Sequence, residues 1–248
     1  MDHKPYIREV ENAKGVVLFI HGILSTPRHF DYLIPAVPDD FSVYNILLDG
    51  HGGSVQDFSK TSMTKWKNQV KDLLDDLCER YDSVILVGYS MGTLLSIDAL
   101  PRYNNIRGLL LLNSPLQIFV KPVMNFRSLR ICLGIENKNN PHEVMCKNDT
   151  SITLTKKIWE YIAWIPHGLE LIELSHQCRK GVDNINVPCK AFFGRVDELV
   201  SVKSTKYLRG RVNIDVTVFN DAGHFYISEN DKQTVTNSLL ELINNARR

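Results

Sequence analysis

The pentapeptide Gly88-Tyr89-Ser90-Met91-Gly92 is a G-x-S-x-G pattern lying between an apolar run, 83–87, and a stretch of helical period, 91–100. That setting is what gives the pattern weight, because a serine on a sharp strand-to-helix turn stands clear of the sheet with its backbone strained. The flanking glycines permit such a turn. A serine hydroxyl is nevertheless a weak nucleophile until a base takes its proton, and the base must in turn be oriented by a carboxylate. His224 in Ala222-Gly223-His224 is the candidate base, since it follows the apolar run 214–219, whereas His142, His167 and His176 fall in a stretch with no strand pattern. Asp197 follows the run 191–193 and Gly194 and is the candidate carboxylate; Asp221, three residues before His224, and Glu198, beside Asp197, compete for the same part. Acyl-transfer chemistry also needs donors for a developing oxyanion. The Met91 N–H, at the start of a helix, and the Ile23 N–H, just past His21-Gly22, are placed to supply them.

Elements must bring these distant residues to one place. Apolar runs of strand length alternate with helical periods, the pattern of a mostly parallel sheet covered by helices, so the chain is expected to be α/β. Strands are expected at 16–20, 43–48, 83–87, 109–112, 191–193 and 214–219. Thr26 and Pro27 offer an N-cap and a first-turn proline for a helix over 26–37. Trp66, Val70, Leu73, Leu74 and Leu77 mark one face of a helix over 64–81, and Pro101 stops a helix begun at Met91. A closing helix is expected over 232–245. His21 reads as a structural hydrogen-bonding residue. Asp49-Gly50-His51-Gly52-Gly53-Ser54 lacks the lysine and the following helix of a phosphate loop and reads as a packed turn with His51 structural.

Residues 115–187 break the alternation. They carry mixed helical segments and no convincing core strand, and Pro166 interrupts the apolar stretch 152–174. The domain division is therefore a core of residues 1–114 and 188–248 with an insertion at 115–187. Its helices are apolar enough to require burial against the core.

Composition narrows the functional classes. The 248 residues are 44% hydrophobic and 23% charged, with a net charge of +1. Such a chain has no bulk field to attract nucleic acid or an anionic membrane, and no stretch approaches the ~20 apolar residues of a bilayer span. Five scattered cysteines, without C-x-x-C spacing, indicate neither a disulfide scaffold nor a zinc site. The first ten residues lack the apolar core of a signal peptide, so the expected location is cytoplasmic.

With His21-Gly22, Asp49-Gly50-His51-Gly52-Gly53-Ser54, Gly88-Tyr89-Ser90-Met91-Gly92, Gly194-Arg195-Val196-Asp197 and Gly223-His224 in that order, the chain resembles the α/β-hydrolase superfamily, in its small carboxylesterase and monoacylglycerol lipase branch. The order Ser90, Asp197, His224 is the one described for that fold. The resemblance implies a serine hydrolase that forms an acyl-enzyme on Ser90, with Asp197 and His224 completing the triad. It implies no metal or organic cofactor, and a small-molecule ester substrate of short- to medium-chain acyl or aryl type, monoacylglycerols among the candidates. The insertion would be a lid, in which Trp159, Tyr161 and Trp164 could line an apolar channel. A binding protein that has kept the fold, or an acyltransferase or haloperoxidase with the same triad, stands as the alternative.

Overall fold

A computed structural model describes residues 3–119, 137 and 139–247. Residues 120–136, Cys132 among them, and residue 138 lie outside the described residues. Seven strands form one sheet: β1 (Tyr6–Arg8), β2 (Gly15–Ile20), β3 (Phe41–Asn45), β4 (Val84–Tyr89), β5 (Ile106–Leu112), β6 (Cys189–Gly194) and β7 (Ile214–Phe219), in the order β1-β3-β2-β4-β5-β6-β7. Every pairing is parallel except that of β1 with β3. β1 is a short antiparallel edge, and nothing in the three-residue run Tyr6–Arg8 distinguishes it from a loop in the sequence. Among the described residues the α-helices are α1 (Val55–Ser59), α2 (Met63–Arg80), α3 (Met91–Ala99), α4 (Pro141–Asn148), α5 (Ile165–Gly181) and α6 (Glu229–Ala246).

The central strands are apolar on successive residues because both faces of the sheet are covered. Val16, Leu18 and Ile20 of β2 point into one core with Trp66, Val70 and Leu74 of α2, Leu94 of α3 and Leu174 of α5. Val17 and Phe19 point into the other, with Val235, Leu239 and Leu242 of α6 and with Phe30 and Leu33. Alternation along the strand thus assigns each residue to a side. α2 starts where Ser62 accepts a hydrogen bond from the Lys65 N–H, and α6 where Ser228 does the same for Asp231.

Three expectations are corrected. The apolar helical stretch 152–174 is not wholly buried against the core, since Ile158, Ile162, Ile165 and Leu169 are exposed. The helix anticipated over 26–37 is a pair of 3-10 turns, Pro27–Phe30 and Ile34–Ala36, although Thr26 does cap the first. Pro35 has no N–H to donate and its ring would clash with a carbonyl one turn back, so an α-helix cannot run through it. The glycine-rich turn at 49–54 is followed by α1, which begins with a Ser54–Asp57 capping box. Pro166, by contrast, sits in the first turn of α5, directly after a 3-10 helix over Ile158–Trp164. Among the described residues no helix is long and apolar enough to cross a membrane.

Candidate active site

The chain leaves β2 toward β3 on one side and, after α2, enters β4 on the other, so the order of the sheet reverses between β2 and β4. At such a switch point the loops leaving the carboxyl ends of neighbouring strands diverge and open a crevice. Ile20 of β2 pairs with Gly88 of β4 there. Ile23 follows the first strand and Ser90 the second.

Ser90 connects β4 to α3 with φ 50° and ψ −119°, a left-handed conformation rarely adopted by a residue with a side chain. The strain is held from several directions. Ser90 N–H donates to the Leu112 carbonyl at 2.8 Å, and its own carbonyl accepts from the Thr93 N–H at 3.0 Å and the Thr93 hydroxyl at 2.6 Å. A Cβ on Gly92 would lie 1.9 Å from the Ile20 carbonyl oxygen, and one on Gly22 would lie 2.9 Å from Ser90 Cβ. Only a bare backbone lets α3 start this close to β2.

His224 and Asp197 arrive on the loops after β7 and β6. His224 Nε2 is 3.1 Å from Ser90 Oγ, and His224 Nδ1 is 2.8 Å from Asp197 Oδ2. All three side chains are buried. The other oxygen of Asp197 accepts the N–H groups of Leu199 and Val200, at 2.8 and 2.7 Å, which fixes the carboxylate. Facing a carboxylate, Nδ1 must carry the ring proton, which leaves the Nε2 lone pair directed at the serine. Burial disfavours the charged ring, but the charge and hydrogen bond of Asp197, with further help from Glu198 and Asp149, outweigh it and hold the His224 pKa above its ordinary value.

The competing carboxylates are accounted for. Asp221 is exposed, whereas buried Glu198 accepts the backbone N–H of His224 at 3.0 Å. Glu198 therefore holds the histidine's main chain while Asp197 holds its ring. The hydroxyl of Tyr89, the residue before the serine, donates to the His224 carbonyl at 2.9 Å.

The loop carrying Ile23 is fixed by two histidines. His51 Nε2 accepts the Leu24 N–H at 3.1 Å, and His21 Nε2 accepts the Leu48 N–H at 3.0 Å. The Nδ1 atoms face carbonyls, of Gly22 for His21 and of Leu48 and Asp49 for His51. Both rings therefore serve as neutral bridges between the loops after β2 and β3, as the sequence suggested. Burial lowers both pKa values, that of His51 to about 4. The Leu24 amide is committed to His51; the Met91 N–H begins α3, ahead of its hydrogen-bonded ladder.

The contacts of Tyr161 and Trp164 are with Thr155, with each other and with α1. Trp159 is 63% exposed. The Tyr161 hydroxyl meets the backbone of Thr155, and the Trp164 indole donates to the Val55 carbonyl and packs its ring against Phe58 of α1. Packing onto α1 accounts for Trp164, and the Trp164 ring, 4.8 Å away and edge-on, for Tyr161. Apolar groups beside the triad are others: Cys146, between β5 and β6, packs with Leu154, with Leu199, two residues past Asp197, and with Phe225, whose ring meets His224 edge-on at 5.1 Å. Leu199 and Phe225 were findable from their adjacency to the candidate acid and base. Cys146 and Leu154 were not, since nothing local ties them to the site.

Known proteins share this architecture. A thermostable monoacylglycerol lipase of Bacillus sp. (strain H-257) is 28% identical over 109 residues, a match spanning 44% of this chain and 44% of that lipase. The structure of a Paleococcus ferrophilus monoacylglycerol lipase superposes with a TM-score of 0.69 at 17% identity, covering 98% of this chain and 99% of that one. A soluble variant of monoglyceride lipase from Saccharomyces cerevisiae, in complex with a substrate analog, gives 0.68 at 14% identity, covering 98% and 91%. At those identities the structural likeness is one of fold. The family model Hydrolase_4, described as serine aminopeptidase, S33, matches residues 11–231, and the chain belongs to that family of α/β-hydrolases.

Proposed function

We propose that the protein is a serine esterase acting on uncharged carboxylic esters of short to medium acyl chain, monoacylglycerols included. The observation that carries this reading is the unbroken line from Asp197 Oδ2 through the His224 ring to Ser90 Oγ, at 2.8 and 3.1 Å. In it, His224 Nε2 takes the serine proton as Oγ attacks the acyl carbonyl, and the N–H groups of Met91 and Ile23 receive the oxyanion. Protonated His224 then gives its proton to the departing alkoxide. A water activated by the same nitrogen adds to the acyl-enzyme, the second tetrahedral intermediate collapses, and the proton returns to Ser90 as the acid leaves. Asp197 keeps the ring in the tautomer that does this and stabilises its charged form.

Residues 115–187 are assigned the part of a cover over the site. The packing of Cys146 against Leu199 and Phe225, with Leu154 beside it, supports that, and would give the acyl group an apolar wall. An uncharged substrate is favoured over a peptide with a free amino group because the buried carboxylates among the described residues are already engaged: Asp197 by the ring, Glu198 by the His224 amide, Asp149 by Ser25 and His29, and Glu143 by the Asn137 N–H.

A fluorophosphonate should form a stoichiometric adduct at Ser90, located by mass spectrometry. A p-nitrophenyl ester series should then show turnover with an optimum in chain length, while amino-acid p-nitroanilides are not cleaved. No adduct with native protein overturns the reading in favour of a binding protein on this fold. Faster anilide than ester cleavage overturns it in favour of a peptidase.

A further inference from the structure

The loop that carries Ile23 is also gripped from the insertion. Asp149, the residue after α4, is buried, and both of its oxygens are used: Oδ2 accepts the Ser25 hydroxyl at 2.8 Å and Oδ1 accepts His29 Nδ1–H at 3.1 Å. Two residues on, the Ser151 N–H donates to the Leu24 carbonyl at 2.9 Å. Leu24 itself has φ 61°, a left-handed conformation that persists only when its surroundings impose it. The same carboxylate reaches the triad's other side through His29, whose ring stacks on Tyr89 with centroids 3.5 Å apart and planes 14° from parallel. Tyr89 in turn holds the His224 carbonyl.

We propose that Asp149 is a positioning residue for the reaction, fixing through Ser25 the loop whose Ile23 N–H meets the oxyanion. The proposal rests on the esterase reading above. A charge-assisted hydrogen bond in a buried setting is short and directional, and so suited to setting a backbone donor within a fraction of an ångström. Oxyanion donors act most strongly on the transition state, so a displaced donor lowers kcat and leaves substrate binding nearly intact. The carboxylate comes from the insertion, which makes the cover part of the catalytic geometry as well as of the substrate wall.

The test compares Asp149→Ala, Ser25→Ala, the double variant and Asp149→Asn. Turnover of a p-nitrophenyl ester is normalised to active sites titrated with fluorophosphonate, so that unfolded protein is not counted. Each alanine variant should lose about 10- to 100-fold in kcat, since the donor is displaced and not removed and a misplacement of about 1 Å costs up to about 100-fold, with KM within about threefold. The double variant should be no worse than Asp149→Ala alone, because the Ser25 bond that the second change would remove is already gone. Asn keeps an acceptor for the Ser25 hydroxyl and should recover most of the loss. Unchanged kcat in Ser25→Ala, a change confined to KM, or additive losses in the double variant overturn the proposal. If Asp149→Ala yields no titratable sites, Ser25→Ala, which removes a single oxygen atom, decides alone. Wild-type protein that labels and turns over esters while the variants keep full kcat removes this proposal and leaves the esterase standing; wild-type protein that does neither removes both.

Discussion

Each residue around His224 has a separable effect because each holds a different atom of it. Asp197 holds the ring, so Asp197→Asn leaves Nδ1 facing an amide that can present its own N–H and favour the wrong tautomer. Loss of about 10⁴ in kcat is expected, by analogy with the same change in serine proteases. Asp221 is exposed, and Asp221→Asn should stay within about threefold in the same ester assay. A larger loss at Asp221 would reverse the assignment. Glu198 holds the His224 amide, and its charge helps raise the ring's pKa, together with those of Asp197 and Asp149. Glu198→Gln keeps an acceptor for the amide but removes the charge, which lowers the pKa of the ring. Since the neutral ring is the base, kcat/KM rises with pH through that pKa, and the acid limb of the profile should move to lower pH. An unmoved limb, or one displaced upward, shows that the Glu198 charge is not felt at the ring.

Elements set how far such geometry depends on backbone alone. α3 starts against the end of β2, and a Cβ at Gly92 would meet the Ile20 carbonyl oxygen at 1.9 Å. That atom belongs to the sheet and cannot swing aside as a flexible side chain would. Gly92→Ala must therefore push α3, and with it Ser90 and Met91, away from the Ile23 loop. The expected result is a cost of about 1 to 3 kcal/mol in urea unfolding and a fall in kcat beyond that of the Asp149 variants; native-like activity and stability would show that the turn has slack. The same element explains what was legible beforehand. Gly88 to Gly92 announced the turn because its residue types are dictated locally by sterics, and β2, β4 and β5 announced themselves as apolar runs because they are covered on both faces. Asp197 and His224 could be placed by the strands they follow. What escaped otherwise was set by partners remote in sequence: β1 exists only by pairing with β3, and the role argued for Asp149 depends on a bond to Ser25, 124 residues away, whereas Pro35 is a local signal against a helix over 26–37, opposed in the sequence by the Thr26 cap.

At the scale of the whole molecule, the buried histidines couple the fold to pH in opposing senses. His21 and His51 meet edge-on at 4.7 Å and clamp the loops after β2 and β3 through Nε2 atoms that accept backbone N–H groups, a part only the neutral ring can play. The folded pKa of His51 is about 4 against an ordinary 6.5, so its contribution is fully present above pH 6.5 and is lost as pH falls through 4. A shift of that size corresponds to about 3 kcal/mol, a large part of the ~5 to 15 kcal/mol that keeps a domain folded. His21 is depressed in the same direction. His224 works the other way: its raised pKa contributes stability below pH 6.5 that fades as pH rises through the folded value. Two lowered rings against one raised one predict a net loss of stability between pH 6.5 and 4. His51→Gln isolates the larger effect, because the amide oxygen can still accept the Leu24 N–H but does not titrate. The urea midpoint of the native protein should therefore fall more steeply between pH 7 and 5 than that of His51→Gln. Parallel slopes would mean that His51 titrates near its ordinary value and that the clamp on the Ile23 loop tolerates a charged ring.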